Sequence, residues 1–228
     1  MFIEIPSDNN GAGGLAHHGV HGISVGSSFL EGLLKRWRAG ARSVDQVYYY
    51  EMCRNFWFGD YNPRIDYCCD NNKSCYGWWT VGFNNAMSVI VSEITSTPFY
   101  YFGQSREQFA RGMLKDFESY VEDPKWCWEN SWVCSRMPWR KEQSINNMMS
   151  GFIIEGFKRF GGKKWIQGVY RELGRVEVLR GGGEGRWQGV RDNVYLIWSK
   201  AAGRDLREYF EKKLRWKISE RAKRHVGV

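Results

Sequence analysis

The sequence predicts a single, mainly α-helical domain with little β-sheet. Apolar residues recur at helical spacing in one segment after another, whereas the alternating apolar and polar pattern of strands is scarce. The 228 residues fit one large domain, and the 43% of hydrophobic residues can form its core. The predicted domain spans residues 1–228, with a Gly-rich, His-bearing segment at residues 1–26 and a basic tail at residues 220–228.

The first part of the chain combines a Gly-rich start with two helical patterns. Glycine destabilises a helix by about 1 kcal/mol per site relative to alanine, so residues 1–26 predict a tight turn with a short helix or strand. Apolar residues at helical spacing predict helices over residues 29–37 and 44–52. Residues 59–80 are rich in Gly, Asp and Asn, which predicts a loop.

The rest of the chain continues the helical pattern. Its clearest helix is residues 144–160, where Ser144 is the predicted N-cap and Gly161-Gly162 ends the helix. Residues 126–132 predict an irregular loop lined by aromatic side chains, and residues 181–185 a Gly-rich hairpin or loop. The other predicted helices are residues 85–95, 105–123, 163–173, 190–202 and 205–215.

The net charge of +8 is concentrated near the C-terminus. Residues 200–228 hold ten Lys and Arg against four acidic residues, so the rest of the chain is close to neutral. A basic face spread over the domain, as in nucleic-acid binding, is not predicted. No apolar run reaches the ~18–20 residues that cross a bilayer. We expect neither a nucleic-acid partner nor membrane insertion. The run Arg221–His225 is predicted to be a solvated, frayed end, with phosphate or acidic-surface contact as the alternative.

The six cysteines bear on the compartment. They lie at positions 53, 68, 69, 75, 127 and 134, a spacing that matches no zinc finger. An even count permits three disulfides and favours a protein that works outside the cell, although buried free cysteines are the alternative. The N-terminus lacks the basic and apolar regions of a signal peptide. The prediction is therefore extracellular if the sequence is part of a longer precursor, and cytoplasmic otherwise.

Three histidines form the first candidate site, in the run His17-His18-Gly19-Val20-His21. On a helix, residues i and i+4 share a face, so His17 and His21 could both reach one zinc ion. A zinc peptidase also needs a Glu after the first histidine to activate the bound water, and His18 stands in that place. Histidines that stabilise a turn or fill the core are the alternative.

The second candidate is Glu51, a carboxylate inside an aromatic helical run. Burial of a carboxylate without a partner costs several kcal/mol, so Glu51 is expected to have one. Arg54, at i+3 on the same helix, is the structural partner in the simplest interpretation. In the functional interpretation, Glu51 is a metal ligand or a general acid/base that faces the histidines.

Tryptophan is unusually abundant, with twelve in the chain. Trp78, Trp79, Trp126 and Trp128 fall in predicted loops, where tryptophans can stack on sugars or aromatic ligands. These four are predicted to line a recognition groove. The alternative is that they cover a loop-rich core.

Residues 144–219, about a third of the chain, carry a family resemblance. Phe160-Gly161-Gly162 follows a helix, Ser199-Lys200-Ala201-Ala202-Gly203-Arg204-Asp205-Leu206 comes later, and Trp216-Lys217-Ile218-Ser219 closes the segment. This order resembles the end of the enhancin-like, mucin-degrading metallopeptidases, a gluzincin family. The resemblance implies a fold like the helical subdomain of a gluzincin. It also implies zinc as cofactor, with His17, His21 and Glu51 as ligands, and His18 departs from the family's catalytic Glu.

Three functions follow as hypotheses. The first is a metal-dependent, hydrolase-like enzyme in which zinc lowers the pKa of its water to about 7 and His18 takes the proton. The second is a catalytically inactive module that binds a glycan or a protein. The third is a metal-free enzyme in which His17, His18 and Glu51 form an acid/base cluster for a small substrate. The predicted partners are a glycoprotein, a glycan or a small molecule.

Overall fold

The computed structural model describes residues 3–4, 14–17, 22–55, 76–132, 145–176 and 185–227. These residues form a mainly α-helical fold, as the sequence predicts. Two short π-helical turns, Trp128–Trp132 and Tyr209–Lys213, supplement the α-helices. The helices are α1 Ser27–Arg38, α2 Gln46–Asn55, α3 Tyr76–Thr95, α4 Arg106–Glu122, α5 Ile145–Phe160, α6 Gly162–Arg175, α7 Gly185–Ala202 and α8 Glu220–His225.

The strands of the described residues are two to four residues long and form two small sheets. In the first sheet, β3 (Gly22–Val25) lies between β1 (Ile3–Glu4), to which it is parallel, and β2 (Gly14–His17), to which it is antiparallel. In the second, β5 (Phe99–Tyr101) pairs in parallel with β4 (Val44–Asp45) and antiparallel with β6 (Gln104–Ser105).

Local sequence signals explain several helix ends. Ser105 caps α4 in a capping box, in which its hydroxyl accepts from the Gln108 amide and the Gln108 side chain accepts from the Ser105 amide. The turn between α5 and α6 falls at Gly161, where φ is +121°, a conformation that favours glycine. The predicted cap Ser144 lies outside the described residues.

Four elements differ from the predictions. Helix α3 begins at Tyr76, so the predicted loop over residues 59–80 is wrong at its C-terminal end. The predicted irregular loop at residues 126–132 contains the first π-helical turn, and α7 begins before residue 190. The predicted helix over residues 205–215 is mainly the second π-helical turn.

The basic tail is folded, which corrects the prediction of a frayed end. Ser219 caps α8 through the Ala222 amide at 3.1 Å, and the Ala222 side chain is fully buried. Val226 after the helix is also buried. The Lys223 ammonium lies 2.8 Å from a Glu211 oxygen and 2.9 Å from a Glu220 oxygen, so part of the tail's charge is neutralised.

The main core lies among α3 to α7 and is dominated by aromatic rings. Phe152 stacks on Trp198 with ring centroids 3.9 Å apart, and Trp132 packs edge-on against Phe152 and Trp216. Most of the large side chains that are fully buried are aromatic: Trp128, Trp132, Trp165, Trp216, Tyr120, Tyr195, Phe99, Phe117, Phe152 and Phe210. The abundance of tryptophan is therefore largely explained by the core.

Arg215 ties this core to the end of α4. Its guanidinium donates to the backbone carbonyls of Tyr120, Val121, Asp123 and Trp126. The carbonyls of Tyr120, Val121 and Asp123 lie at the C-terminal end of α4, where intrahelical partners run out, and that of Trp126 lies in the turn that follows. Arg215 reaches them from a left-handed backbone (φ +56°), and the Tyr120 hydroxyl donates back to the Leu214 carbonyl.

The described cysteines do not support a framework of three disulfides. Cys53 and Cys127 are both free thiols, so six-cysteine pairing is wrong, and the remaining four cysteines lie outside the described residues. Burial raises the pKa of the Cys53 thiol to about 12, which suppresses its reactivity. None of the helices in the described part of the chain is long and apolar enough to span a bilayer.

Candidate functional site: an aromatic cleft

An open cleft of about 590 Å³ lies between α1, the start of α2 and the β5–β6 hairpin. Helix α1 contributes Phe29 and Arg36. The parallel pairing of Asp45 with Tyr100 holds the α2 side of the cleft against the hairpin. The lining residues are Phe29, Arg36, Asp45, Gln46, Val47, Tyr100, Tyr101, Phe102 and Gly103.

The hairpin turn holds an aromatic residue in an unfavourable backbone conformation. Tyr101 pairs with Gln104, which leaves a two-residue loop, Phe102-Gly103, with φ of +44° and +81°. Positive φ at both residues is the requirement of a type I′ turn, which prefers Asn-Gly because the left-handed region costs other residues roughly 1–2 kcal/mol. The Phe102 side chain is 85% exposed, so burial does not offset that cost.

Three successive aromatic residues, Tyr100, Tyr101 and Phe102, line the cleft, and Tyr100 and Tyr101 project from opposite faces of β5 because they are neighbours on the strand. Tyr101 lies between Phe109 and Phe102, with ring centroids 4.6 Å and 4.7 Å away. Phe109 is buried in the main core, so this chain of rings connects the exposed tip to a rigid base. Tyr100 is 44% exposed and also lines the cleft. Tyr101 and Phe102 therefore form an exposed aromatic wall that Phe109 supports from behind.

Polar groups of opposite sign complete the cleft. The Arg36 guanidinium donates to an Asp45 carboxylate oxygen, and both side chains are partly exposed. The buried Gln46 amide donates through Nε2 to Asn85 and Ser88, each at 3.1 Å. These bonds fix the orientation of the amide and leave its carbonyl oxygen as an acceptor.

Tyr48 lies close behind the ion pair in a small second core with Ile23, Val25 and Leu33. Burial raises the pKa of the Tyr48 phenol, and the Asp45 charge adds to the increase while Arg36 opposes it. The phenol therefore stays protonated at neutral pH and contributes no charge to the cleft.

Glu51 lies one helical turn beyond Val47, next to the cleft. The Gly14 backbone of β2 packs so closely on α2 that an added Cβ would lie 2.7 Å from Glu51 Cγ and 2.9 Å from Val47 Cγ2. Glu51 is only 4% exposed, and its Oε2 lies 3.9 Å from Arg54 Nη1. The predicted structural pairing with Arg54 is therefore present.

His17 lies on a short strand, one of the two predicted forms of the Gly-rich segment, rather than on the helix that would bring His17 and His21 to one face. His17 is the last residue of β2 and pairs with Gly22 of β3. Repeated glycines favour this hairpin over a helix, so i and i+4 spacing does not place His17 and His21 on one helical face. His18 and His21 lie outside the described residues.

The tryptophans predicted to form a groove are divided by the fold. Trp78 and Trp79 belong to α3 rather than to a loop, and their side chains lie outside the described part. Trp126 is half-buried with the Lys125 ammonium 4.8 Å from its ring centroid. Trp128 is 1% exposed and packs against Trp216 at 4.4 Å between centroids. Trp128 is therefore a core residue and cannot line a recognition groove, which corrects the prediction.

The zinc site that the resemblance implies lies only partly within the described residues, because His21 is outside them. They contain no group of three His, Cys, Asp or Glu side chains able to hold a metal ion. The Arg54 guanidinium beside Glu51 would also repel a cation at that carboxylate. Zinc binding through His17, His21 and Glu51 remains a prediction, and no chemical step is derived from it.

The sequence reasoning missed the hairpin. Tyr100-Tyr101-Phe102-Gly103 carries a usable signal, because aromatic residues favour strands and Gly after them marks a turn. What the sequence does not reveal is that three of these aromatic side chains stay exposed together.

Comparison with known protein families, with curated proteins and with solved structures finds no match to this chain. The resemblance to the enhancin-like metallopeptidases therefore rests on the motifs of residues 144–219 alone.

Proposed function

We propose that this protein is a saccharide-binding module and that the aromatic cleft holds one sugar ring of a glycan. The carrying observation is that the exposed residues Tyr100, Tyr101 and Phe102 line the cleft together with polar groups of both signs, and that Phe109 supports the wall of Tyr101 and Phe102. This corresponds to the glycan-binding hypothesis, with a different set of aromatic residues.

The polar groups favour an uncharged ligand rich in hydroxyls. An anionic ligand would be repelled by Asp45 and a cationic one by Arg36, whereas a hydroxyl can donate to the carboxylate and accept from the guanidinium. A few fixed polar groups in a largely apolar cleft orient a ligand and give specificity.

The aromatic wall supplies the apolar half of the interaction. The C–H face of a sugar ring packs on an aromatic face, and the Tyr101 ring loses little conformational entropy on binding because Phe109 already supports it. A cleft of about 590 Å³ falls within the usual ligand-site range of ~300–1,000 Å³.

The direct test is titration of the full chain with O-glycans released from mucin, followed by saturation-transfer NMR. Tyr100→Ala should reduce binding about tenfold or more. Trp37→Ala is the matched control, because Trp37 is also an exposed aromatic residue but does not line the cleft. Equal binding by the Tyr100→Ala variant and the native chain would refute the assignment.

A second candidate function is hydrolysis with Glu51 as the acid/base or metal-binding residue. The observation in its favour is the contact of Glu51 with Gly14, because this contact brings the carboxylate next to the strand that carries His17. A buried carboxylate near a cleft is a common feature of active sites.

The substitution Glu51→Gln separates this function from a structural role. If Glu51 acts chemically, the nearly isosteric amide should abolish hydrolysis of a mucin glycopeptide while sparing the melting temperature. Zinc content is measured on both proteins, purified without added metal. Unfolding of the variant would identify Glu51 as a structural partner of Arg54, and full activity with normal folding would exclude Glu51 from the site.

A further inference from the structure

A second cavity, of about 350 Å³, lies between the end of α5, the connection after α7 and the second π-helical turn. Its lining is richer in charge than that of the aromatic cleft. The lining residues are Arg159, Phe160, Arg204, Asp205, Leu206, Glu208, Tyr209, Lys212 and Lys213.

Two guanidinium groups of this cavity rest on aromatic rings. Arg204 lies over Phe160 with its Cζ 5.6 Å from the ring centroid, and Arg159 lies over Tyr209 at 5.8 Å. The two rings contact each other edge-on, with centroids 5.1 Å apart. Cation–π contacts of this kind hold a guanidinium in place without using its N–H groups. Both groups therefore keep donors for a ligand.

The anions around the cavity are already neutralised by other residues. Asp205 accepts from the Tyr195 hydroxyl and from the Arg207 backbone and guanidinium. The Glu208 carboxylate lies 2.6 Å from the Lys212 ammonium.

Behind the cavity, Glu155 accepts from Arg159 Nε at 2.9 Å and from Lys213 Nζ at 2.7 Å. Arg204 has no acidic partner among the residues that the structure describes. The cavity consequently carries one guanidinium whose charge is not balanced.

We propose that this cavity binds the oxyanion of a phosphate or sulfate monoester, with Arg204 as the principal ligand and the Nη groups of Arg159 as the second. A planar guanidinium fork matches two oxygens of a tetrahedral oxyanion, which a neutral or cationic ligand does not offer. The volume accommodates one small ester group with its first carbon atoms. This site is separate from the aromatic cleft and does not depend on saccharide binding there.

The test is calorimetric titration of the full chain with glycerol 3-phosphate and with ethyl sulfate, neither of which offers an aromatic or sugar ring to the cleft. Glycerol is the uncharged control. At least one ester should bind, and an increase of ionic strength from about 0.02 M to about 0.15 M should weaken it without abolishing it. The ester that binds more tightly shows whether the natural ligand is a phosphate monoester or a sulfate monoester.

Arg204→Gln should weaken binding of the preferred ester about tenfold or more. Arg111→Gln removes the same charge from an exposed site on α4 and should leave the affinity within about twofold. Arg204→Lys keeps the charge and loses the fork, so it should give an intermediate loss at an unchanged melting temperature.

Three results would overturn the proposal: no binding of either ester, equal binding of glycerol, or equal losses in the Arg204→Gln and Arg111→Gln variants. Tyr100→Ala should leave ester affinity unchanged, so the two sites can fail independently.

Discussion

Aromatic residues have opposite roles in two regions of this molecule. In the main core, Trp132, Phe152 and Trp216 pack on one another with almost no exposed surface. In the β5–β6 hairpin, Tyr100, Tyr101 and Phe102 are exposed, and the Phe102 backbone adopts a conformation that phenylalanine disfavours. The first set stabilises the fold by burial. The second set is less buried, and the positive φ of Phe102 adds an unfavourable backbone energy.

The difference shows why residue type alone does not identify an aromatic residue that binds a ligand. Burial of a large aromatic ring contributes to folding through the area removed from water. The rings of the hairpin leave part of their area in water, most of all Phe102 at 85% exposure, so burial accounts for them less well than for the core rings. Contact with a ligand in the adjacent cleft is the explanation that the cleft geometry supports.

The largest expected effect is on the core side of this comparison. Trp132→Ala should lower the free energy of unfolding by about 3–5 kcal/mol, because it removes a fully buried indole and leaves a cavity. Urea denaturation of the variant and the native chain measures it. Trp37→Ala, at an exposed tryptophan on α1, should change stability by less than about 0.5 kcal/mol. Equal effects at the two positions would contradict the division into buried and exposed aromatics.

A smaller loss of unfolding free energy is expected on substitution of Arg215, which joins the core to α4. Arg215→Ala should lower the free energy of unfolding by about 2–3 kcal/mol, because the carbonyls of Tyr120 and Val121 lose a charged hydrogen-bond donor. Thermal unfolding with Arg111→Ala as the surface control checks this. A loss no greater than that of the control would show that Arg215 does not cap the helix.

Alkaline pH should destabilise the core. Burial raises the pKa of Cys53 from 9.0 to about 12 and that of Tyr120 from 10.0 to about 12. The unfolded chain loses these protons first, so the stabilisation is complete below about pH 9 and is lost as pH rises towards 12. Between its unfolded-state and folded-state pKa, each group lowers the free energy of unfolding by about 1.4 kcal/mol per pH unit.

Denaturation midpoints between pH 8 and pH 11 measure this slope. A Cys53→Ala variant should lose the decline between pH 9 and pH 10, where Tyr120 does not yet contribute. A flat profile in the native chain over the whole range would be inconsistent with buried protonated groups.

Much of the fold follows from the sequence because helical periodicity is a local signal. The stripe of α5 and the capping box of α4 are visible in the residues themselves. The start of α3 at Tyr76 is not visible, since the Gly, Asp and Asn residues between positions 59 and 77 favour a loop on local propensity alone.

The candidate site was less predictable, because it depends on contacts between distant segments. Arg36 and Asp45 meet across the cleft only after α1 and β4 pack together, and Asp45 reaches Tyr100 through strand pairing. The spacing of His17 and His21 suits a helix, but strand pairing places His17 opposite Gly22, in agreement with the short strand predicted for the Gly-rich segment.

The substitution Phe102→Asn tests the central claim most directly, because one variant gives two readouts. Asn-Gly is the preferred type I′ turn, so this change should raise the free energy of unfolding by up to about 1 kcal/mol. The same variant should lose binding of mucin O-glycans by about tenfold, measured by saturation-transfer NMR. A rise in stability with a loss of binding is the predicted result. A fall in stability with unchanged binding would show that Phe102 serves the fold and would contradict the account.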